Sequence, residues 1–167
     1  KVFSREELTV ISEVANKYNL TVISDEVYEN LVFDGLEHTP TASVPGLADR
    51  TITINSTAKT FSATGWKIGF ICAPAHLTQA VQAVHQWVTF AVNTPIQIAF
   101  SKILPISADY SKEFCTQMEK HRDYLFKKSQ EWGFDPIKPH GSYFFMATFD
   151  RLSPKSDMEF MEELIKT

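Results

Sequence analysis

The chain has 167 residues, 44% of them hydrophobic and 13% aromatic, and a formal net charge of −4. That apolar content can bury a core and excludes a disordered chain, while scattered lysines in an acidic balance exclude the basic stripe a nucleic-acid or anionic-membrane partner requires. No apolar stretch reaches membrane-spanning length, and residues 1–8 carry charges where a secretory leader would be apolar.

Ser4-Arg5-Glu6-Glu7 has the form of a capping box, and Leu8, Ile11, Ala15 and Tyr18 recur at helical spacing, so residues 5–18 read as an amphipathic helix. Residues 20–24 form a short, uniformly apolar run that suits a buried parallel strand. Gly35, Pro40, Pro45 and Gly46 mark residues 34–49 as a loop with one helical turn. Residues 51–55 and 68–73 read as a second and a third strand. Residues 76–92 follow helical spacing, and Pro95 breaks or restarts that helix, which runs on to about Leu104. This order is that of a layered α/β domain.

Pro105 and Ser107-Ala108-Asp109 mark a boundary. A long helix over 109–131 follows, with Phe114, Met118, His121, Leu125 and Phe126 as its buried stripe and Gly133 as its cap. Residues 134–138 and 142–149 read as two strands, the second strongly aromatic, and a last helix occupies 158–166. Cys72 and Cys115 stand far apart with no metal-type spacing, as reduced thiols of an intracellular protein do. The five histidines show no metal-ligand spacing either, so no metal is expected.

Chemistry concentrates at two strand exits. If the first two strands are parallel neighbours, Asp25, Tyr28, Ser56, Lys59 and Lys67 converge on one edge of the sheet, where open α/β sheets bind ligands. Asp25 either bonds loop amides or pairs with a protonated pyridine nitrogen, since a buried carboxylate asks for a cationic partner. Glu26 is its solvent-facing or structurally bonded neighbour. Tyr28 is either a core or rim residue, or a hydroxyl donor to a cofactor oxygen.

Lys59 is either a solvated surface charge or an amine for covalent attachment. A nearby cation, for which Lys67 is the candidate, would lower its proton affinity. Ser56 and Lys67, with Thr57 or Ser62 as weaker candidates, could hold a phosphate. There is no Gly-x-Gly-x-x-Gly and no Walker-type loop. The set matches what pyridoxal 5'-phosphate (PLP) needs: a lysine to carry it and an acid for its ring nitrogen.

Asp25-Glu26-Val27-Tyr28, Ser56-Thr57-Ala58-Lys59 and Gly65-Trp66-Lys67-Ile68-Gly69, in that order and spacing, resemble the motifs of the fold-type I, class I/II aminotransferases. The detail around Thr60-Phe61-Ser62-Ala63-Thr64 is similar to the kynurenine/glutamine transaminase and methionine aminotransferase subgroup. The resemblance implies an α/β fold. Residues 1–105 would be part of the large PLP-binding domain, a parallel-rich sheet with flanking helices, and residues 106–167 the beginning of an α+β small domain.

It implies PLP as cofactor, Lys59 as the catalytic and covalently modified residue, and Asp25, Tyr28, Ser56 and Lys67 as cofactor contacts. It further implies amino acid and 2-oxo acid substrates, a homodimer in which Phe90 reaches the partner's site, and Gly141-Ser142-Tyr143-Phe144 as a small-domain strand near the substrate mouth. A cytoplasmic or mitochondrial location is expected, with any targeting segment upstream.

The family's glycine loop, ring-stacking aromatic, asparagine near the cofactor oxygen and carboxylate-clamping arginine have no counterpart in the chain. It therefore reads as a piece of a longer member that does not transaminate alone. Two other readings use the same residues: a PLP-dependent cysteine-conjugate β-lyase, and a non-catalytic fragment or interaction module.

Overall fold

A computed structural model describes residues 1–166. Helix α1 (Arg5–Lys17) begins as its capping box dictates: Ser4 Oγ accepts from the Glu7 amide at 3.3 Å, and the Glu7 carboxylate accepts from the Ser4 amide at 2.9 Å. Two orphan amides of the first turn are satisfied in this way. The apolar face of α1 packs Leu8 and Ala15 against Val44 and Leu47, with Ile11 and Val22 at the margin.

The 34–50 stretch carries a 3-10 turn at Thr41–Ser43 and is fastened onto α1 by polar contacts. Ser12 Oγ donates to the Pro45 carbonyl at 2.7 Å, and the Arg50 guanidinium donates to the Ala15 and Leu20 carbonyls at 3.3 and 3.0 Å. Gly46 has φ +84°, and a Cβ there would meet Asn16 Nδ2 at 2.5 Å, so glycine is required by both backbone and space.

Strands β1 (Val22–Asp25) and β2 (Thr51–Ser56) pair in parallel, Asp25 opposite Ile54. β3 (Gly69–Cys72) pairs antiparallel on the far side of β2, Ser56 opposite Gly69, giving a mixed three-stranded sheet β1-β2-β3. The C-terminal ends of β1 and β2 and the N-terminal end of β3 therefore share one sheet edge.

The expected burial of β1 holds on one face only. Side chains alternate along a strand: Val22 faces the α1 core, whereas Ile23 points the other way and is 68% exposed.

A one-turn helix α2 (Thr57–Thr60) follows β2 directly, capped by Ser56, whose Oγ accepts from the Ala58 amide at 3.1 Å. Helix α3 (Ala75–Val88) stops four residues short of the expected end, because Thr89 caps it and Phe90 takes φ 65°. Asn93 then starts α4 (Thr94–Ile103) by accepting from the Ile96 amide, with Pro95 in the first turn, where its missing N–H costs nothing.

Helix α5 (Ser107–Glu131) ends in a Schellman motif: Phe134 N–H bonds the Ser129 carbonyl, and Gly133 N–H, at φ +91°, bonds Gln130. Its buried stripe is rotated from the expected one. His121 and Leu125 are exposed, while Arg122 and Ser129 are buried: Asp34 and Pro139 offer Arg122 polar partners, and the Ser129 hydroxyl is satisfied by the Leu125 carbonyl of its own helix.

Strands β4 (Asp135–Ile137) and β5 (Met146–Thr148) form a separate antiparallel pair. The expected 142–149 strand loses its first half. Ser142 sits at φ 62° and turns the chain away from β4, carrying Tyr143 and Phe144 toward the first sheet. Helix α6 (Asp157–Lys166) closes over this pair with Phe160 stacked 4.4 Å from Phe149. Among the described residues no helix is long and apolar enough to cross a membrane.

Candidate active site

The two parallel strand ends deliver neighbouring acids to opposite environments. Asp25, on the exposed face with Ile23, accepts from the Val27 amide at 3.2 Å and leaves most of its carboxylate open. Glu26 is buried and fully engaged: its carboxylate accepts from the Ser24 hydroxyl (2.9 Å) and the Thr41 amide (3.0 Å) and meets His38 Nε2 at 2.8 Å. Burial pushes the Glu26 carboxyl up, but His38, the Thr41 amide and Ser24 outweigh it and hold the group below its ordinary value. Glu26 is thus the structural acid, and Asp25 the available one.

His38 also comes near Glu29, so three ligand-type atoms of Glu26, Glu29 and His38 lie within 4.8 Å of one another. Sequence spacing hid this grouping, because the 34–39 loop folds back to make it. Glu26 and His38 already bond each other, and Glu29 Oε1 accepts from Asn55 Nδ2 at 2.6 Å, so the group reads as a satisfied polar network. Asn55 is buried in β2, and its bond to Glu29 ties the second strand's exit to the turn after the first.

Tyr28 lies in that turn, half-buried, with its ring edge-on to Tyr143 (centroids 5.2 Å apart) and to Phe144 (5.9 Å). Burial pushes its phenol up, and Tyr143 and the Asp25 charge push it further. Lys59, on α2, brings its ammonium 5.9 Å from the Tyr28 ring centre and 5.6 Å from that of Tyr143, both within cation–π range. Lys59 therefore meets Tyr28 at the sheet edge, close enough to Asp25 that its charge bears on the Tyr28 phenol. What faces the Lys59 ammonium is a pair of aromatic rings.

Behind Lys59, the Phe61 ring is tilted against Phe100 of α4 (5.7 Å) and stacked on Tyr110 of α5 (5.9 Å), fixing the lysine turn to the helical layer. Ser56 keeps a weakly used hydroxyl, 3.4 Å from the Ile68 carbonyl, that could turn to another acceptor. Thr57 is buried and commits its hydroxyl to the same carbonyl at 2.8 Å, which removes it as a phosphate donor. Ser62 is exposed at φ 52°, and Lys67 is exposed at φ 55°, two residues before Gly69, which pairs with Ser56.

The donor set fits part of what PLP needs: an accessible carboxylate, a phenol, a primary amine, a hydroxyl and a second ammonium. A cavity of about 450 Å³ reaches Asp25 and Tyr28 from the α1 side but leaves Lys59, Ser56 and Lys67 outside its lining. Sequence reasoning placed Tyr143 and Phe144 only near a substrate mouth and passed over Glu29 and Asn55. The alternation along β2, which turns Asn55 inward, was the available signal for the last.

The chain is 45% identical over 161 residues to a kynurenine–oxoglutarate transaminase of Dictyostelium discoideum, a match covering 94% of this chain and 37% of that protein. It is 40% identical over 167 residues to human kynurenine–oxoglutarate transaminase 3, covering 95% and 37%. Among solved structures, N-succinyldiaminopimelate aminotransferase from Mycobacterium tuberculosis superposes with a TM-score of 0.97 at 39% identity, over all of this chain and 44% of that one. The chain thus spans under half the length of the relatives it matches. The family model described as aminotransferase class I and II matches residues 1–167, and the chain belongs to that family.

Proposed function

We propose that the chain carries the cofactor-binding lysine of a PLP-dependent aminotransferase that moves an amino group between an amino acid and a 2-oxo acid. The names of its relatives suggest kynurenine and 2-oxoglutarate as the pair. The observation that carries this reading is the meeting of Lys59 and Tyr28 at the sheet edge, within reach of the Asp25 charge.

When bound, PLP supplies an electron sink that acidifies the proton on the carbon bearing the amino group. Asp25 is the residue to face the ring nitrogen, because its carboxylate accepts only from the Val27 amide and lies open at the strand end. Tyr28 donates its hydroxyl to the ring oxygen, and its raised proton affinity keeps that hydroxyl a donor. Ser56 and Lys67 hold the phosphate, the hydroxyl by a directed bond and the ammonium as a point charge. Lys59 would hold the cofactor through Nζ, and its free amine would serve as the general base for the proton on the substrate carbon.

In this reading residues 1–105 belong to the large domain and residues 106–167 to the small one. The exposed Phe90, at φ 65°, meets a second copy of the chain in a homodimer. Incubation with PLP, borohydride reduction and peptide mapping test the assignment. The label should sit on Lys59 and vanish in Lys59→Ala. Label spread over surface lysines with none on Lys59 would overturn it.

A further inference from the structure

Tyr143 comes from the segment after β4, yet its ring is one of the two that face the Lys59 ammonium. Its position is fixed by the backbone around it. Phe33 N–H donates to the His140 carbonyl at 2.9 Å, Ser142 N–H donates to the Leu31 carbonyl at 2.9 Å, and Gly141 bridges Val32 between them. Gly141 is buried, and a Cβ there would collide with the Leu31 carbonyl oxygen. From the other side, the buried Arg122 donates to the Pro139 carbonyl at 2.8 Å while gripping both carboxylate oxygens of Asp34 at 2.8 and 2.9 Å. The 139–142 segment is thus held to the 31–34 turn by two main-chain hydrogen bonds and an arginine. Ser142, at φ 62°, then aims Tyr143 at the strand exits.

We propose that Tyr143 is a positioning residue for Lys59, its phenol and ring holding the amine against Tyr28 so that the 139–144 segment sets where that amine stands. The inference rests on the reading of Lys59 as the cofactor-bearing residue. A lysine side chain has several soft torsions, and ordering it costs free energy that an incoming aldehyde would otherwise have to supply. Two rings at 88° to each other restrict it from two directions before any ligand arrives. The phenol is electrostatically tied to the amine as well: burial pushes the Tyr143 phenol up, but Lys59 and Tyr28 outweigh it and leave it below its ordinary value. The titratable groups that bear on it are Lys59 and Tyr28 and, through Tyr28, Asp25.

Two measurements on the unsubstituted chain, Tyr143→Phe and Lys59→Met test this. In an alkaline titration followed by tyrosinate absorbance, one tyrosine should titrate early in the unsubstituted chain, vanish from the curve in Tyr143→Phe, and titrate later in Lys59→Met. In PLP incorporation, the Lys59 amine adds to the cofactor aldehyde with loss of water, and borohydride delivers hydride to the resulting carbon–nitrogen double bond. Incorporation at Lys59 should slow about tenfold in Tyr143→Phe, the size expected for losing one preorganising contact, with other lysines labelled at unchanged rates. Near-ultraviolet circular dichroism checks that each variant is folded. Labelling of Lys59 within twofold of the unsubstituted rate overturns this inference alone, and so does an early tyrosine that survives in Tyr143→Phe. Absence of label on Lys59 in the unsubstituted chain overturns the cofactor reading and this inference with it.

Discussion

Helices α1 and α3 are alike in sequence and opposite in surroundings. Both are amphipathic and of nearly equal length, 13 and 14 residues. Yet α1 buries Leu8, Ser12 and Ala15, whereas α3 buries nothing and leaves Trp87 85% exposed. The difference lies in what the rest of the chain brings to each. Ser12, Asn16 and the carbonyls at the end of α1 are met by Pro45, Gly46 and Arg50, which close the 41–50 stretch over the helix. On α3 only Leu77, Thr78 and Val81 are even partly covered. A helical period therefore declares that a face wants cover without naming the cover, and the site stands between the two regimes, on strands braced by the closed side.

The strongest way to break this comparison is Leu47→Ala. Leu47 is fully buried at the centre of the α1 core, so truncation should cost about 2–5 kcal/mol in denaturant unfolding, the range for an aliphatic core cavity. A cost under about 1 kcal/mol would mean that the core collapses around the gap and is not closed in the sense argued.

Gly141→Ala should come next. The added methyl must displace the Leu31 backbone, and overpacking of this kind costs about 1–3 kcal/mol. The same junction should respond to acid. Arg122 and Lys138 hold the Asp34 carboxyl down to about 2 from an ordinary 3.8. A depressed folded value stabilises the fold above the unfolded value and is lost as pH falls, so this contribution should be present at neutral pH and fade between about pH 4 and pH 2. Since Asp34 is more than a third exposed, solvent screening keeps the effect modest. Acid titration of stability in Asp34→Asn should show that part of the slope missing.

How much of this was legible follows from the range of the forces involved. The Ser4 cap, the Pro95 restart, the Gly133 stop and the parallel exits after Ile23 and Ile54 are set within a few residues, and each was read from the sequence. The family motifs at Asp25 and Lys59 were likewise local. The rotated stripe of α5 was not, since Arg122 is buried only because Asp34, 88 positions away, and Pro139 receive it. Tyr143 was misread as part of a strand because its aromatic neighbours carry β-propensity, and a single left-handed residue, Ser142, overrides that preference. The split between Asp25 and Glu26 also needed the 34–41 loop in place, since His38 and Thr41 are what make Glu26 the buried member.

Caps offer a finer test, because they are local to either region. Ser4→Ala removes the acceptor for the Glu7 amide at the start of α1, and Asn93→Ala removes the acceptor for the Ile96 amide at the start of α4. Each should cost about 1 kcal/mol in thermal or chemical unfolding. Equal costs would show that the closed and open sides differ in tertiary cover and not in the quality of their helix ends. A cost confined to Ser4→Ala would instead mean that the α4 end contributes nothing to the cooperative unit.

The smallest effect is the most pointed. Trp87→Ala deletes the largest side chain of α3, but at 85% exposure there is little packing to lose, and stability in dilute solution should stay within about 0.5 kcal/mol. Leu47, packed against α1, and Trp87, on α3, are both large apolar residues, so the contrast between their truncations isolates cover from hydrophobicity. If the second copy that meets Phe90 in the proposed homodimer also covers α3, the Trp87→Ala cost should grow with protein concentration, because association stabilises only the folded form. A loss above about 1 kcal/mol that does not vary with concentration would instead place cover for α3 within a single chain and erase the distinction between the two helices.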